Sequence, residues 1–262
     1  MVYYLCLRFW VQTVIILSGI LSFLISAFLA IYVLYRSPKN TTARNFSLLM
    51  CASACYSAFY SLEINSPDIQ VALVWLKLNA IAVSLVPVYW YLFVRSYVGS
   101  SGQKKSFSFF AIFLIPAVSI ILAWTNESHG IIYSRLWLKE GLELSIIQST
   151  KNWWFWVFTI YMYFLLGFGS VRLFVHIKRS SGLYRRQSIL LILGVCMPWI
   201  SHILLILGLS PYNLDTTPFM LSVSGVFFSI GIFKMYLFDL VPIARDRVVD
   251  AIGEGVVVLD RK

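Results

Sequence analysis

Few side chains in the apolar stretches of this sequence can do polar chemistry, and they are quickly named. Lys77 stands within VALVWLKLNAIAV, Glu63 closes ASACYSAFYSLE, His202 follows Pro198 by four residues in PWISH, and Asp215 opens DTTPF. An ionisable group in a low-dielectric surrounding must be paired, neutralised or put to use. A Glu63–Lys77 pair would neutralise two such charges near one membrane face; a Lys77 that snorkels its head to the headgroups is the plain structural alternative. His202 can contact a ligand or hydrogen-bond a carbonyl set free by Pro198, and the second role is the expected one, because freed backbone groups in lipid must find partners. Pro87, Pro116 and Pro198 each interrupt an apolar run, where a kink serves as a hinge or as static packing.

Enzymatic sets do not emerge from these residues. The sequence contains no nucleophile elbow, glycine-rich phosphate loop or HExxH, and no carboxylates paired at catalytic spacing. Lys234 lies too near the end of the last apolar run to carry a retinal Schiff base. Cys51 and Cys55 share a helix face four residues apart, but buried thiols packing as small hydrophobes are the expected role. No metal, no cofactor and no catalytic activity is expected of this chain.

The elements that hold these residues follow from composition. Of 262 residues, 60% are hydrophobic and only 12% charged, against about 25% charged in soluble domains. The net charge of +10 sits in short loops between apolar runs, which is the pattern of membrane orientation and excludes nucleic-acid binding. Seven runs approach the length of a bilayer-crossing helix: Val11–Tyr35, Arg44–Leu62, Val71–Arg95, Phe107–Thr125, Trp153–Val175, Ser188–Leu209 and Thr216–Phe238. The fold class expected is an all-α seven-transmembrane bundle, a multi-pass protein of the inner membrane in contact with the lipid bilayer.

Loop charge sets its direction. The first connection carries Arg36, Lys39 and Arg44, the third Arg95, Lys104 and Lys105, the fifth Arg172, Lys178, Arg179, Arg185 and Arg186, and none of the three contains an acid. The rule that basic loops stay cytoplasmic then puts the N-terminus outside and the C-terminus inside. The connection from about Asn126 to Asn152 is the one sizeable outer segment. Its LWLKEGLELSII alternates about Gly141 as a β-hairpin does, over the mouth of the bundle, as a lid or as a structural cap. Trp153, Trp154 and Trp156 after it suit an interfacial anchor better than a ligand cage.

The ending differs from everything before it. After the seventh run, Asp239 and Pro242 lead into Val241, Ala244, Val248 and Ala251 at three- and four-residue steps, with Arg245 among the interspersed charges. That spacing predicts a cytoplasmic signalling helix over 239–252, able to form a coiled-coil seam in a homodimer. GEG then stops it and VVVLD reads as a strand.

These features together resemble a family. ARNFSLLMCASACYSAFYSLE, NESHGIIY, PWISHILLILGLSP, DTTPFMLSVSG and FDLVPIARDRVVDAIGEGVVVLD, in that order, are similar to the seven-helix sensor module at the N-terminus of bacterial and archaeal histidine kinases and some diguanylate cyclases. His202 departs from the pattern, standing where related sequences often carry Asn. The resemblance implies a sensor domain over 1–238, the signalling helix over 239–252, and the first strand of a PAS domain over 253–262, with a catalytic output beyond. A small-molecule, peptide or lipid stimulus would act on Glu63, Lys77, His202 and Asp215, with Pro87 and Pro198 as hinges and Asp239, Pro242 and Arg245 in the relay. The alternative from another class is a small inner-membrane transporter or channel, which requires a polar path across the bundle.

Overall fold

The computed structural model describes residues 2–99, 108–138, 146–180, 182–210, 214–235 and 237–238, with side chains described from residue 13 in the first helix and from 110 in the fourth. In chain order it comprises α1 (Val2–Arg36), α2 (Thr41–Ile64), α3 (Ile69–Tyr97), α4 (Ser108–Trp124), the single-turn α5 (Asn126–His129), β1 (Tyr133–Leu138), β2 (Ile147–Lys151), α6 (Trp153–Arg179), α7 (Gly182–Ile206) and α8 (Thr217–Ser229), the last continued by a π-helical turn over Ile230–Lys234. Among the described residues, six helices are long and apolar enough to cross a bilayer, and α4 is a shorter apolar helix. Residues 100–107 before it, which include Lys104 and Lys105, lie outside the described residues, as do the turn of the hairpin about Gly141 and the tail containing Asp239, Pro242 and Arg245.

Helix boundaries follow local chemistry. Asn40 caps α2 through bonds from the Thr42 and Ala43 amides, Asp68 caps α3 through Val71 N–H, and Asn152 caps α6; each supplies an acceptor to an otherwise orphaned helix amide. α2 is the least apolar of the six long helices and the most enclosed. Its run of Ala, Ser and Cys lets α1, α3 and α8 approach closely, whereas the more apolar α1 and α7 turn much of their surface toward lipid.

Side-chain packing distinguishes two ends. At one, Val33, Ala43, Phe46, Val94, Leu173, Leu191 and Phe238 join a single buried cluster that draws together the loop ends of α1–α2, α3, α6–α7 and α8. At the other, Tyr56, Tyr60, Ile64, Ile146, Leu214 and Phe219 form a second cluster below the hairpin. β1 and β2 pair antiparallel, Leu138 facing Ile147 and Arg135 facing Thr150, with an irregularity between Tyr133 and Arg135. Of the alternating segment, Leu136, Trp137, Leu138 and Ile147 fall in these two strands.

Two of the three helix-interrupting prolines are compensated across helices. Pro116 leaves the Ile112 carbonyl without its i+4 donor, and the Tyr161 hydroxyl of α6 donates to it. Pro198 does the same to Gly194, whose carbonyl accepts from Ser224 of α8 at 2.6 Å. The donor at this site is therefore Ser224 and not His202, contrary to the sequence expectation. Serine reaches it because α7 and α8 nearly touch there: a Cβ on Gly194 would stand 2.6 Å from the Phe228 ring.

Candidate functional site

Under the hairpin, α2, α3, α4, α6 and α7 diverge around a cavity of about 450 Å³. Its walls draw together Glu63, Lys77, His202 and Asp215, the four side chains singled out from sequence, although they lie on three helices and a loop. Pro87 and Pro198 do not reach this cavity. They line a smaller, apolar void of about 80 Å³ deeper in the bundle, beside Trp90, Leu221 and Phe228. Tyr56, Met162 and His202 border both, so they form the floor of the larger space and the roof of the smaller one.

The Glu63–Lys77 pair, one of the two alternatives open for Lys77, does not form. Lys77 Nζ instead lies 2.9 Å from Glu127 Oε1. The single turn of α5 brings Glu127 down beside α3, where it meets a Lys77 head that is one-fifth exposed. Glu63 points inward instead. It is 5% exposed, and its Oε2 has no hydrogen-bond partner. Asn79, two residues beyond Lys77 and 6% exposed, has an Oδ1 in the same condition and lines the same cavity.

Asp215 is fully engaged. Its Oδ2 accepts from the Tyr56 hydroxyl at 2.5 Å, its Oδ1 accepts from Thr217 N–H at 3.0 Å, and its own N–H donates to the Tyr60 hydroxyl at 2.9 Å. Two of these bonds tie α2 to Asp215, and the third fixes Asp215 to the first turn of α8. Beside them the Pro218 carbonyl accepts from Ser22 of α1 at 2.6 Å and Ser57 of α2 at 3.2 Å. His202 Nδ1 lies 2.8 Å from the Tyr163 hydroxyl, which joins α7 to α6 at the cavity floor.

The hairpin is fixed from below by Asn126. Its Oδ1 accepts from Ile132 and Tyr133 N–H, and its Nδ2 donates to the Tyr133 carbonyl. Burial pushes the Tyr133 phenol up, and the Glu63 and Asp215 carboxylates add to that. Lys151 of β2 lies over the Phe155 ring, 4.7 Å from its centroid; burial pulls its ammonium down and Asp215 opposes the shift. The tryptophans divide. Trp153 and Trp156 are about half exposed, as anchors should be, whereas Trp154 lines the cavity and donates to Ser119 Oγ at 2.9 Å.

Sequence reasoning had not singled out Tyr56, Tyr60, Asn79, Asn126 and Lys151. A signal for the first two was present: Tyr56, Tyr60 and Glu63 recur at four- and three-residue steps, so they share a face of α2. Asn79 was visible as the one amide in an apolar run. Lys151 and Asn126 carry no such mark, because their positions depend on how the hairpin folds back.

A family model of the N-terminal seven-transmembrane region of histidine kinase matches residues 19–242. The chain belongs to this family. No match to it is found among curated proteins. As a member of this sensor region the chain is a membrane input domain, multi-pass in the inner membrane, and the family is defined by its sensor region and not by a catalytic domain. The histidine-kinase sensor region extends from mid-α1 past the π turn, so every wall of the large cavity falls inside it. The arrangement has the parts of a binding site, with acceptors and cations on aromatic walls, rather than a nucleophile with an adjacent base.

Proposed function

We propose that this sensor region takes a small stimulus molecule into the cavity beneath the hairpin and passes its occupancy through α8 to a kinase output. The observation that carries this reading is the convergence of Glu63, Lys77, His202 and Asp215 on one cavity whose acceptors at Glu63 and Asn79 are unmet. A buried polar atom without a partner costs about 1–3 kcal/mol, and two of them facing one space are explained by an occupant that supplies the missing bonds. The basic loops support a hairpin end outside the cell and a cytoplasmic opposite end. The hairpin then acts as a lid, and α8 leads inward from Asp215.

Asp215 supplies the route of transmission. An occupant touching Tyr56, Tyr60 or Asp215 acts on the bonds that hold α2 to the start of α8. It shifts the equilibrium between two bundle arrangements only by binding them with different affinity. Pro87 and Pro198, which flank the void under the cavity floor, are where the helices can bend as that happens. The signalling helix over 239–252 and a dimer formed through it complete the proposed path. The apolar lining of the deeper void supports a sensor over a transporter, which needs a polar route past His202.

Asp215→Asn and Tyr56→Phe, made in the chain joined to a histidine-kinase output and assayed for autophosphorylation in native membranes, test the reading. Both should shift basal output several-fold, while Ile160→Ala on the lipid-facing surface of α6 (69% exposed) should leave it unchanged. Unaltered output from correctly inserted Asp215 and Tyr56 variants would overturn the route through α8.

A further inference from the structure

The chemistry of the cavity goes further than the existence of a ligand. Both unpartnered atoms on its wall, Glu63 Oε2 and Asn79 Oδ1, are acceptors, so the missing group is a donor of at least two hydrogen bonds. The charge balance points the same way. Three carboxylates (Glu63, Glu127, Asp215) face two ammonium groups (Lys77, Lys151), and Lys77 is already taken by Glu127. Among the described residues the buried Glu63 is the carboxyl left without a cation of its own. The walls beside it are aromatic: Tyr60, Tyr133, Trp154, Phe155 and Phe158 all line the same space. Ring faces attract a desolvated cation and repel an anion.

We infer that the cavity recognises an organic cation of small-ligand size, a primary amine whose ammonium donates to Glu63 Oε2 and Asn79 Oδ1 and whose body lies among the aromatic rings. A volume of about 450 Å³ falls in the range of small-molecule sites, roughly 300–1,000 Å³. An ammonium has three N–H donors and no acceptor, which matches an acceptor-only pair. A carboxylate or phosphate ligand would set its own acceptors against Glu63 Oε2 and Asn79 Oδ1, and a neutral alcohol would leave one of the two unmet. The inference rests on the cavity being the stimulus site and names what that site selects.

Three probes of nearly equal shape separate the possibilities: phenethylamine, phenethyl alcohol and phenylacetate, titrated against the full chain in lipid nanodiscs with tryptophan fluorescence as readout. Phenethylamine should bind saturably, and the other two at least about tenfold more weakly, the loss expected for a charge-assisted hydrogen bond. Glu63→Gln, which keeps shape and removes charge, should weaken the amine by a similar factor, and Asn79→Leu should do so independently. Preferential phenylacetate binding that Lys151→Gln abolishes would overturn the amine while leaving the cavity as the ligand site. Amine binding unaffected by both Glu63→Gln and Asn79→Leu would overturn the site as well. Failure of all three probes to bind at millimolar concentration would overturn the amine inference alone, since the autophosphorylation test above does not depend on it.

Discussion

Asp215 and Tyr56 make a charge-assisted side-chain bond, a hydroxyl donating to a carboxylate at 2.5 Å where α2 meets α8. Charge-assisted bonds of this kind contribute about 1.5–3 kcal/mol. A double-mutant cycle of Tyr56→Phe and Asp215→Asn, followed by thermal unfolding in detergent, should give a coupling energy of about 1–3 kcal/mol; additive effects would show that the contact carries no weight. Lys77 and Glu127 make the contrasting case. Their pair is partly exposed, Glu127 being 63% accessible, and exposed ion pairs contribute about 0–1 kcal/mol. Lys77→Met should therefore change stability by less than about 1 kcal/mol in the same assay. At this scale the sequence marked polar residues that come to line one cavity but not how they pair. Hydropathy marks Glu63 and Lys77 as costly, and their spacing along neighbouring helices makes a mutual bond reasonable. The competitor, Glu127, arrives on a single helical turn whose position depends on Asn126 and the hairpin it holds.

Helices packed at van der Waals distance leave little freedom to the residues between them, and α8 shows this on two sides. A Cβ added to Gly225 would lie 2.4 Å from Ile25 Cγ2 of α1, and one added to Gly194 would press on Phe228. Overpacking of this sort costs about 1–3 kcal/mol. Gly194→Ala and Gly225→Ala should each lower the unfolding temperature, whereas Gly167→Ala, whose nearest neighbour atom would be 3.9 Å away, should not. Element positions were the most legible feature of the sequence, since hydropathy and loop charge demand them. A hairpin was legible too, but its strands reach back to Tyr133 and on to Lys151, past the alternating segment, whose centre about Gly141 lies outside the described residues. What sequence could not reveal was the compensation of the prolines: Tyr161 and Ser224 sit on helices far along the chain, and only packing shows that they reach the Ile112 and Gly194 carbonyls.

For the molecule as a whole, the two packed ends bear on how the bundle lies in the membrane. The hairpin end is expected outside, and the end that gathers Arg36, Lys178 and Arg179 is expected in the cytoplasm. With the native thiols replaced, Asn65→Cys should label with an impermeant maleimide in intact cells and Arg179→Cys only after permeabilisation; the reverse pattern would invert the topology and with it the direction of signalling. Beyond the described residues, deleting one residue between Pro242 and Ala251 should rotate the following helix by about 100° and alter the output of a kinase fusion. Unchanged output would argue against a rigid helical relay.

The hydrogen bonding of the cavity wall has a practical consequence. Asp215, Tyr56 and Tyr60 bond to one another at the start of α8, whereas Glu63 Oε2 and Asn79 Oδ1 have no partner among the described residues. Under the proposed function, selectivity and relay are thus vested in different atoms. Under the proposed reading, a designer can retune the first pair toward another analyte, as in building a cell-based biosensor, without disturbing the joint that makes the answer audible.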